Sequence, residues 1–245
     1  MSQALALPTR KDEAFRYADL AALAPLWPVS VERIDVSAGE SKALQIVHSG
    51  SAPLVRELAI VLAAGASFDL RILNAGDAYG RIAVRAELGA GASFTLGAAQ
   101  LGGNGQTLEV VSEVTHAGPD AVSRQVVRSV AGNKAVVNYL GKVLVRKGAD
   151  GTDGSQSVRA MLLDRTATAN AKPELEIHAD DVKCAHGCAV GELDAQALFY
   201  MAQRGLPPEL AKRLMLQAFV AEAFTGAADE EALLAAALKA LEDML

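Results

Sequence analysis

Leu62-Ala-Ala-Gly-Ala-Ser-Phe-Asp-Leu70 matches Leu88-Gly-Ala-Gly-Ala-Ser-Phe-Thr-Leu96 at seven of nine positions, offset by 26 residues. A period in the twenties built on short apolar runs is the pattern of a β-solenoid, whose coils bury their inward faces only against neighbouring coils. Gly in the repeat supplies the left-handed backbone of a tight corner, and Ala packs small against the next coil. Two copies also fit a β-sandwich with a chance duplication, and pattern alone leaves that reading open.

The same texture extends to both sides. Apolar runs at Leu44–Val47, Leu58–Leu62, Phe68–Leu73, Ile82–Leu88, Phe94–Leu96, Leu108–Val114, Val122–Val130, Ala135–Val145, Val158–Leu163 and Leu175–His178 are separated by Gly, Asn and Asp. They read as strands with turns between them. No helical pattern of ten residues interrupts them, which argues against βαβ units. The expected organisation is an N-terminal helical segment and linker over 1–42, a β-helix core over 43–191 and a helical subdomain over 192–245. In the first part, Asp12 to Leu26 has helical spacing, ended by Pro25 and Pro28, and 29–42 is expected as linker.

The C-terminal part predicts three helices. Glu192 to Arg204 places Leu193, Ala197, Leu198 and Met201 on one face, with Gly205 as the residue after the helix. A second, opening on Pro207-Pro208, carries Leu210, Leu214, Ala218 and Ala221 on one face, widened by Met215, Phe219 and Phe224. A third, capped by Asp229, carries Leu234, Leu238, Leu241 and Leu245. These stripes fit packing on the β core, closure of the solenoid's open end, or a partner.

Composition narrows the function. The chain has 245 residues, 23 Lys plus Arg against 29 Asp plus Glu, and 51% hydrophobic but only 4% aromatic residues. A net charge of −6 argues against a broad nucleic-acid surface, and the apolar content excludes global disorder. No apolar run suits a transmembrane helix. The apolar stretch before Pro8 is too short for a signal-peptide core, so the cytoplasm is the expected compartment. Two Cys are not a disulfide framework.

Both Cys lie in the chemically dense segment Lys172-Pro-Glu-Leu-Glu-Ile-His-Ala-Asp-Asp-Val-Lys-Cys-Ala-His-Gly-Cys-Ala-Val-Gly191. On a strand, Cys184, His186 and Cys188 share one face, with neighbours roughly 6.5–7 Å apart. That is too wide for adjacent members to chelate one zinc ion unless Gly187 bends the chain. A helix would bring the two Cys together, but Val182, Gly187, Val190 and Gly191 oppose one. The row is then either a buried Cys pair with a hydrogen-bonded His, or a one-sided set of soft donors completed by a second protein. Thiolate and imidazole suit iron, zinc or iron–sulfur clusters. Asp180-Asp181 reads as a solvated turn, and His48, His116 and His178 as structural. Gly102-Gly-Asn-Gly105 lacks the Lys-Ser/Thr of a phosphate loop. No nucleotide fingerprint is present, so the chain is not expected to hydrolyse nucleotide itself.

The segment from Lys172 to Gly187 resembles a signature of the SufB/SufD family of iron–sulfur cluster assembly proteins. Leu198-Phe-Tyr-Met-Ala-Gln-Arg-Gly205 and the stretch from Leu210 to Phe224 extend the likeness. So do Thr115-His116, Ser123 and Gly141 upstream, and Pro8-Thr-Arg-Lys-Asp-Glu-Ala-Phe-Arg-Tyr17, which is similar to a stretch of the SufD branch with Phe15 in place of Trp. Two Cys, and His186-Gly with Val190-Gly191, fit SufD better than SufB. Cys188 departs from the family, which more often has a small residue there, and little precedes Pro8.

The resemblance implies a right-handed parallel β-helix and a scaffold, not an enzyme. It implies a heterodimer with a SufB-type paralogue, and docking of a SufC-type ATPase on the C-terminal helices through Leu198, Phe199, Arg204, Gly205, Leu214 and Phe219. His186, with Cys184 and Cys188 beside it, would lie at the cluster-assembly interface. His186 and Cys184 would be metal ligands only with the partner. No cofactor is expected to stay on the chain alone: the iron–sulfur cluster is transient and ATP comes through SufC. A homodimer is conceivable without SufB. The competing readings are a carbohydrate-active β-helix, which few aromatics and no signal peptide disfavour, and a self-contained zinc protein on Cys184, His186 and Cys188.

Overall fold

Apolar residues at every second position leave one face of each strand oily, and the chain buries these faces between two sheets. The computed structural model describes residues 6–244. The first sheet holds, in order, β1 (Val31–Val36), β3 (Leu54–Leu62), β5 (Gly80–Leu88), β7 (Thr107–His116), β9 (Val136–Val145) and β11 (Thr168–Ile177). The second holds β2 (Ser41–His48), β4 (Ser67–Asn74), β6 (Ser93–Gly102), β8 (Val122–Ala131), β10 (Asp153–Leu162) and β12 (Lys183–Gly191). Every pairing is parallel and joins strands two apart in sequence. The chain therefore alternates between sheets, and the fold is the parallel β-solenoid that the repeat predicts, not a sandwich.

The repeat is one corner seen twice. Gly65 and Gly91 both have positive φ, at 67° and 63°. Each N–H donates to the next coil, Gly65 to the Ala90 carbonyl and Gly91 to that of Pro119, both at 2.8 Å. Ala66 and Ala92, one residue on, are buried. In the early coils the interior is apolar: Phe68 stacks on Phe94 with centroids 6.5 Å apart, and Leu70, Leu96, Ile72 and Ala98 continue the rows.

Both sheets are covered on their outer faces. Over the first lies the N-terminal segment, anchored on the buried pair Arg81 and Glu109, which bond one another. Arg81 Nη2 also donates to the Ala14 carbonyl at 2.8 Å, and Glu109 accepts from the Asp19 N–H at 3.1 Å. The guanidinium lies 4.2 Å from the Phe15 ring centroid. Over the second sheet lie α3 (Pro208–Ala221) and α4 (Glu230–Glu242), packed on Leu73, Ala99, Leu101 and Val130. α2 (Ala195–Gln203) joins β12 to α3, with Asp194 as N-cap.

Several expectations need correction. The expected linker over 29–42 contains β1, because Val31 to Val36 pairs in register with β3. Asp12 to Leu26 is not one helix. It is a 3-10 turn at Glu13–Phe15, a short α1 (Leu20–Leu23) and a second 3-10 turn at Ala24–Leu26, since the segment is drawn down by Arg81 and Glu109. The helices pack on a sheet face and do not close the solenoid's end. The buried face of α3 is Ala211, Leu216, Phe219 and Val220, while Leu214 is exposed and Leu210 and Ala221 are half-buried. On α4 the buried residues are Leu233, Ala237 and Leu241, displacing Leu234 and Leu238 from the centre. Leu245 and residues 1–5 lie outside the described residues.

Candidate functional site

The interior changes character toward the last coils. Phe68, Phe94, Ser123, Gly154 and Cys184 are successive register partners across the second sheet. Leu70, Leu96, Gln125, Gln156 and His186 form the next row, and Ile72, Ala98, Val127, Val158 and Cys188 the third. The first two rows thus pass from large apolar residues to polar ones and end in the Cys and His of β12. The third stays apolar until Cys188.

β12 is a strand, as the alternation requires, and among the described residues it pairs with β10 alone. Cys184 is half-buried, packed with Val143, Val145 and Leu175, while His186 and Cys188 are exposed. Cys188 Sγ lies 3.9 Å from the Ala171 carbonyl of β11, so the row faces the gap between the sheets. Burial pushes the Cys184 thiol up, opposed by a hydrogen bond from the Gly154 N–H. The free thiol is therefore protonated, and a metal must displace that proton on binding. Among the described residues, no three His, Cys, Asp or Glu side chains come together closely enough to hold a metal ion.

Behind the row lies a buried polar cluster. Ser112 Oγ donates to Gln125 Oε1 at 2.7 Å, the Tyr139 hydroxyl donates to the same oxygen at 3.3 Å, and Gln156 Nε2 donates to Tyr139 at 3.3 Å. His116 Nε2 and Ser123 Oγ are 2.9 Å apart. Ser123 Oγ and Cys184 Sγ both flank Gly154: a Cβ there would stand 3.5 Å from one and 3.4 Å from the other. Desolvation lowers the His116 pKa to about 4, so this imidazole is neutral. Sequence reasoning misses Ser112, Gln125, Tyr139 and Gln156, although it singles out His116, Ser123 and Gly141.

The remaining candidates separate cleanly. His48 is buried against Asn74 and the Ala52 carbonyl, and His178 pairs with Glu176 at 2.8 Å on the surface. Asp180 and Asp181 are turn residues outside the strands, with Asp181 bonding Gly151 through its backbone carbonyl. On the helices, Phe199, Tyr200 and Leu214 are exposed, and the Arg204 guanidinium stacks 3.4 Å from the Tyr200 ring centroid. Leu198 is half-buried, and Gly205 has φ of 81° just past α2. Phe219 differs from the other expected docking residues: it is buried against the β core beside Arg128. Among the described residues no helix is long and apolar enough to cross a membrane.

Fold and site together define a parallel two-sheet β-solenoid with soft donors on an end strand that no further coil covers among the described residues. Residues 34–219 match the family model described as SUF system FeS cluster assembly, SufBD core domain, and the chain belongs to that family. Over 120 residues, 49% of the chain, it is 39% identical to Protein ABCI7, chloroplastic, of Arabidopsis thaliana. Over 108 residues it is 36% identical to the iron–sulfur cluster assembly protein SufD of Escherichia coli, and over 104 residues 38% identical to a SufBD family protein of Synechocystis. These matches cover 25%, 26% and 23% of the respective relatives, so the chain matches about a quarter of each.

Proposed function

We propose that this chain is a non-catalytic scaffold subunit in iron–sulfur cluster assembly. The observation that carries the reading is the Cys184–His186–Cys188 row on β12, whose outer edge has no strand partner among the described residues. An unpaired edge is a template for another chain, and soft donors spaced too widely to chelate alone need donors from that chain. A SufB-type paralogue is the expected partner at this edge, with the growing cluster held as cargo at the seam. A SufC-type ATPase would dock on Phe199, Tyr200, Arg204 and Leu214. Its hydrolysis cycle would shift the seam, a two-state change biased by nucleotide.

The test is a tagged pull-down from the host combined with complementation. Co-recovery of a Cys-rich paralogue and a Walker-type ATPase, with cluster maturation lost in His186→Ala and kept in His178→Ala, is expected. Recovery of the chain alone, or normal maturation with His186→Ala, overturns the reading. The zinc alternative predicts stoichiometric zinc in the isolated chain, lost in Cys188→Ser.

A further inference from the structure

Gln156 is 2% exposed and lies in register with His186, one strand further in. Its amide has a defined sense. Nε2 donates to the Tyr139 hydroxyl, which in turn donates to Gln125 Oε1, so the Gln156 oxygen is left as the free end of the chain of bonds. That oxygen, Oε1, has no hydrogen-bond partner. A buried acceptor left empty is costly, so it is strongly disposed to take any donor within reach. His186 is on the same row, roughly 4.8 Å away along the sheet, and its side chain makes no hydrogen bond among the described residues. Cys184 is engaged with Gly154 and Cys188 with Ala171, so the two donors in register with the empty oxygen are His186 on the outer side and Gln125, whose Nε2 is also buried and unpaired, on the inner.

We infer that Gln156 is a positioning residue for His186: its Oε1 accepts one imidazole N–H and leaves the lone pair of the other ring nitrogen directed across the seam. Histidines that bind metals are commonly oriented this way, by an acceptor on the nitrogen that does not ligate. The rest of the cluster serves the same end. Tyr139, itself bonded to Ser112 and Gln125, takes the Gln156 amide by its nitrogen and so favours the oxygen turned toward the ring. The inference deepens the reading of His186 as the residue at the seam, and rests on it.

The experiment is a long-range proton–nitrogen NMR spectrum of the full chain with nitrogen-15 histidine, at a pH where imidazole is neutral, with His186 assigned by its loss in His186→Ala. One tautomer is expected to dominate by about tenfold, the ratio that one ordinary buried hydrogen bond supports. Gln156→Leu removes the acceptor and gives a mixture, while Gln156→Glu keeps an acceptor and a single tautomer. A mixture in the unsubstituted chain, or a single tautomer surviving in Gln156→Leu, overturns the inference. Should Gln156→Leu fail to fold, Gln156→Glu decides: a single tautomer supports the assignment and a mixture ends it. The spectrum needs no cluster or partner. Normal maturation in His186→Ala cells would end the seam reading without changing the spectrum, and a failed spectrum beside lost maturation would end only the role of Gln156.

Discussion

The Tyr139 hydroxyl occupies the space that a side chain on Gly141 would need: a Cβ at 141 would stand well inside van der Waals contact with it. Tyr139 can reach Ser112, Gln125 and Gln156 because the residue two places on has no side chain. Gly141→Ala should displace a ring that is 1% exposed, and cost roughly 1–3 kcal/mol as overpacking does. Tyr139→Leu removes the obstructing hydroxyl, so the two substitutions should couple, with Gly141→Ala costing much less when Tyr139→Leu is already present. Urea unfolding of the four proteins measures this. Full additivity would mean that the ring moves aside freely.

Much of this architecture is legible in the sequence, and the part that is not has physical causes. The corner repeat is visible because Gly65 and Gly91 need the same left-handed backbone and Ala66 and Ala92 the same small volume, coil after coil. β1 escapes notice because Val31-Glu-Arg-Ile-Asp-Val36 is an edge strand with charges at half its positions, so pairing with β3 and not local pattern makes it a strand. The face of α3 is hard to choose because its sequence is apolar nearly all round, and only the sheet surface selects Leu216 and Phe219. The polar rows behind β12 are hidden by coil length. Ser67 pairs with Ser93 at an offset of 26, but Gln125 with Gln156 at 31, so a fixed period loses the register.

Arg81 and Glu109 are each 1% exposed in their side chains, and together they tie down the N-terminal segment. Removing one partner of a buried pair strands the other charge, so Glu109→Gln should cost roughly 3–5 kcal/mol. Replacing both, as Arg81→Met with Glu109→Leu, should cost less globally while still freeing the Ala14 carbonyl and the Asp19 N–H. Trypsin should then cut sooner at Arg10, Lys11 and Arg16. A double variant as unstable as Glu109→Gln would refute the stranded-charge account.

Gly97 sits where the helical part meets the second sheet. A Cβ there would overlap the Ala223 carbonyl oxygen, which Arg71 Nη1 holds at 2.9 Å. The obstacle is backbone, so no rotamer relieves it, and the end of the helical segment must lift. Gly97→Ala should leave the solenoid's circular dichroism intact and speed cleavage at Arg204, Lys212 and Arg213. It should also weaken recovery of the ATPase if the docking proposal is right. Unchanged cleavage would show that the helices tolerate the shift.

His116 makes stability depend on pH in a defined direction. Its ring is fully buried against Ser123, with the Ala121 carbonyl and the Asp153 charge only partly offsetting the desolvation, and its pKa falls from 6.5 to about 4. Between these values the unfolded chain binds a proton that the folded chain refuses. Stability is therefore complete above about pH 6.5 and falls as the pH drops toward 4, by on the order of 3 kcal/mol for this group. His116→Gln keeps a polar group near Ser123 and removes the titration. Its urea midpoint should decline less steeply than that of the unsubstituted chain across this window, by up to about 1.4 kcal/mol per pH unit in the slope of stability. Above pH 7 the two curves should run parallel, whatever offset the lost packing introduces. Parallel curves throughout would mean that the folded protein accepts the proton at His116, and the neutral polar cluster behind Cys184 would have to be redrawn with a charge in it.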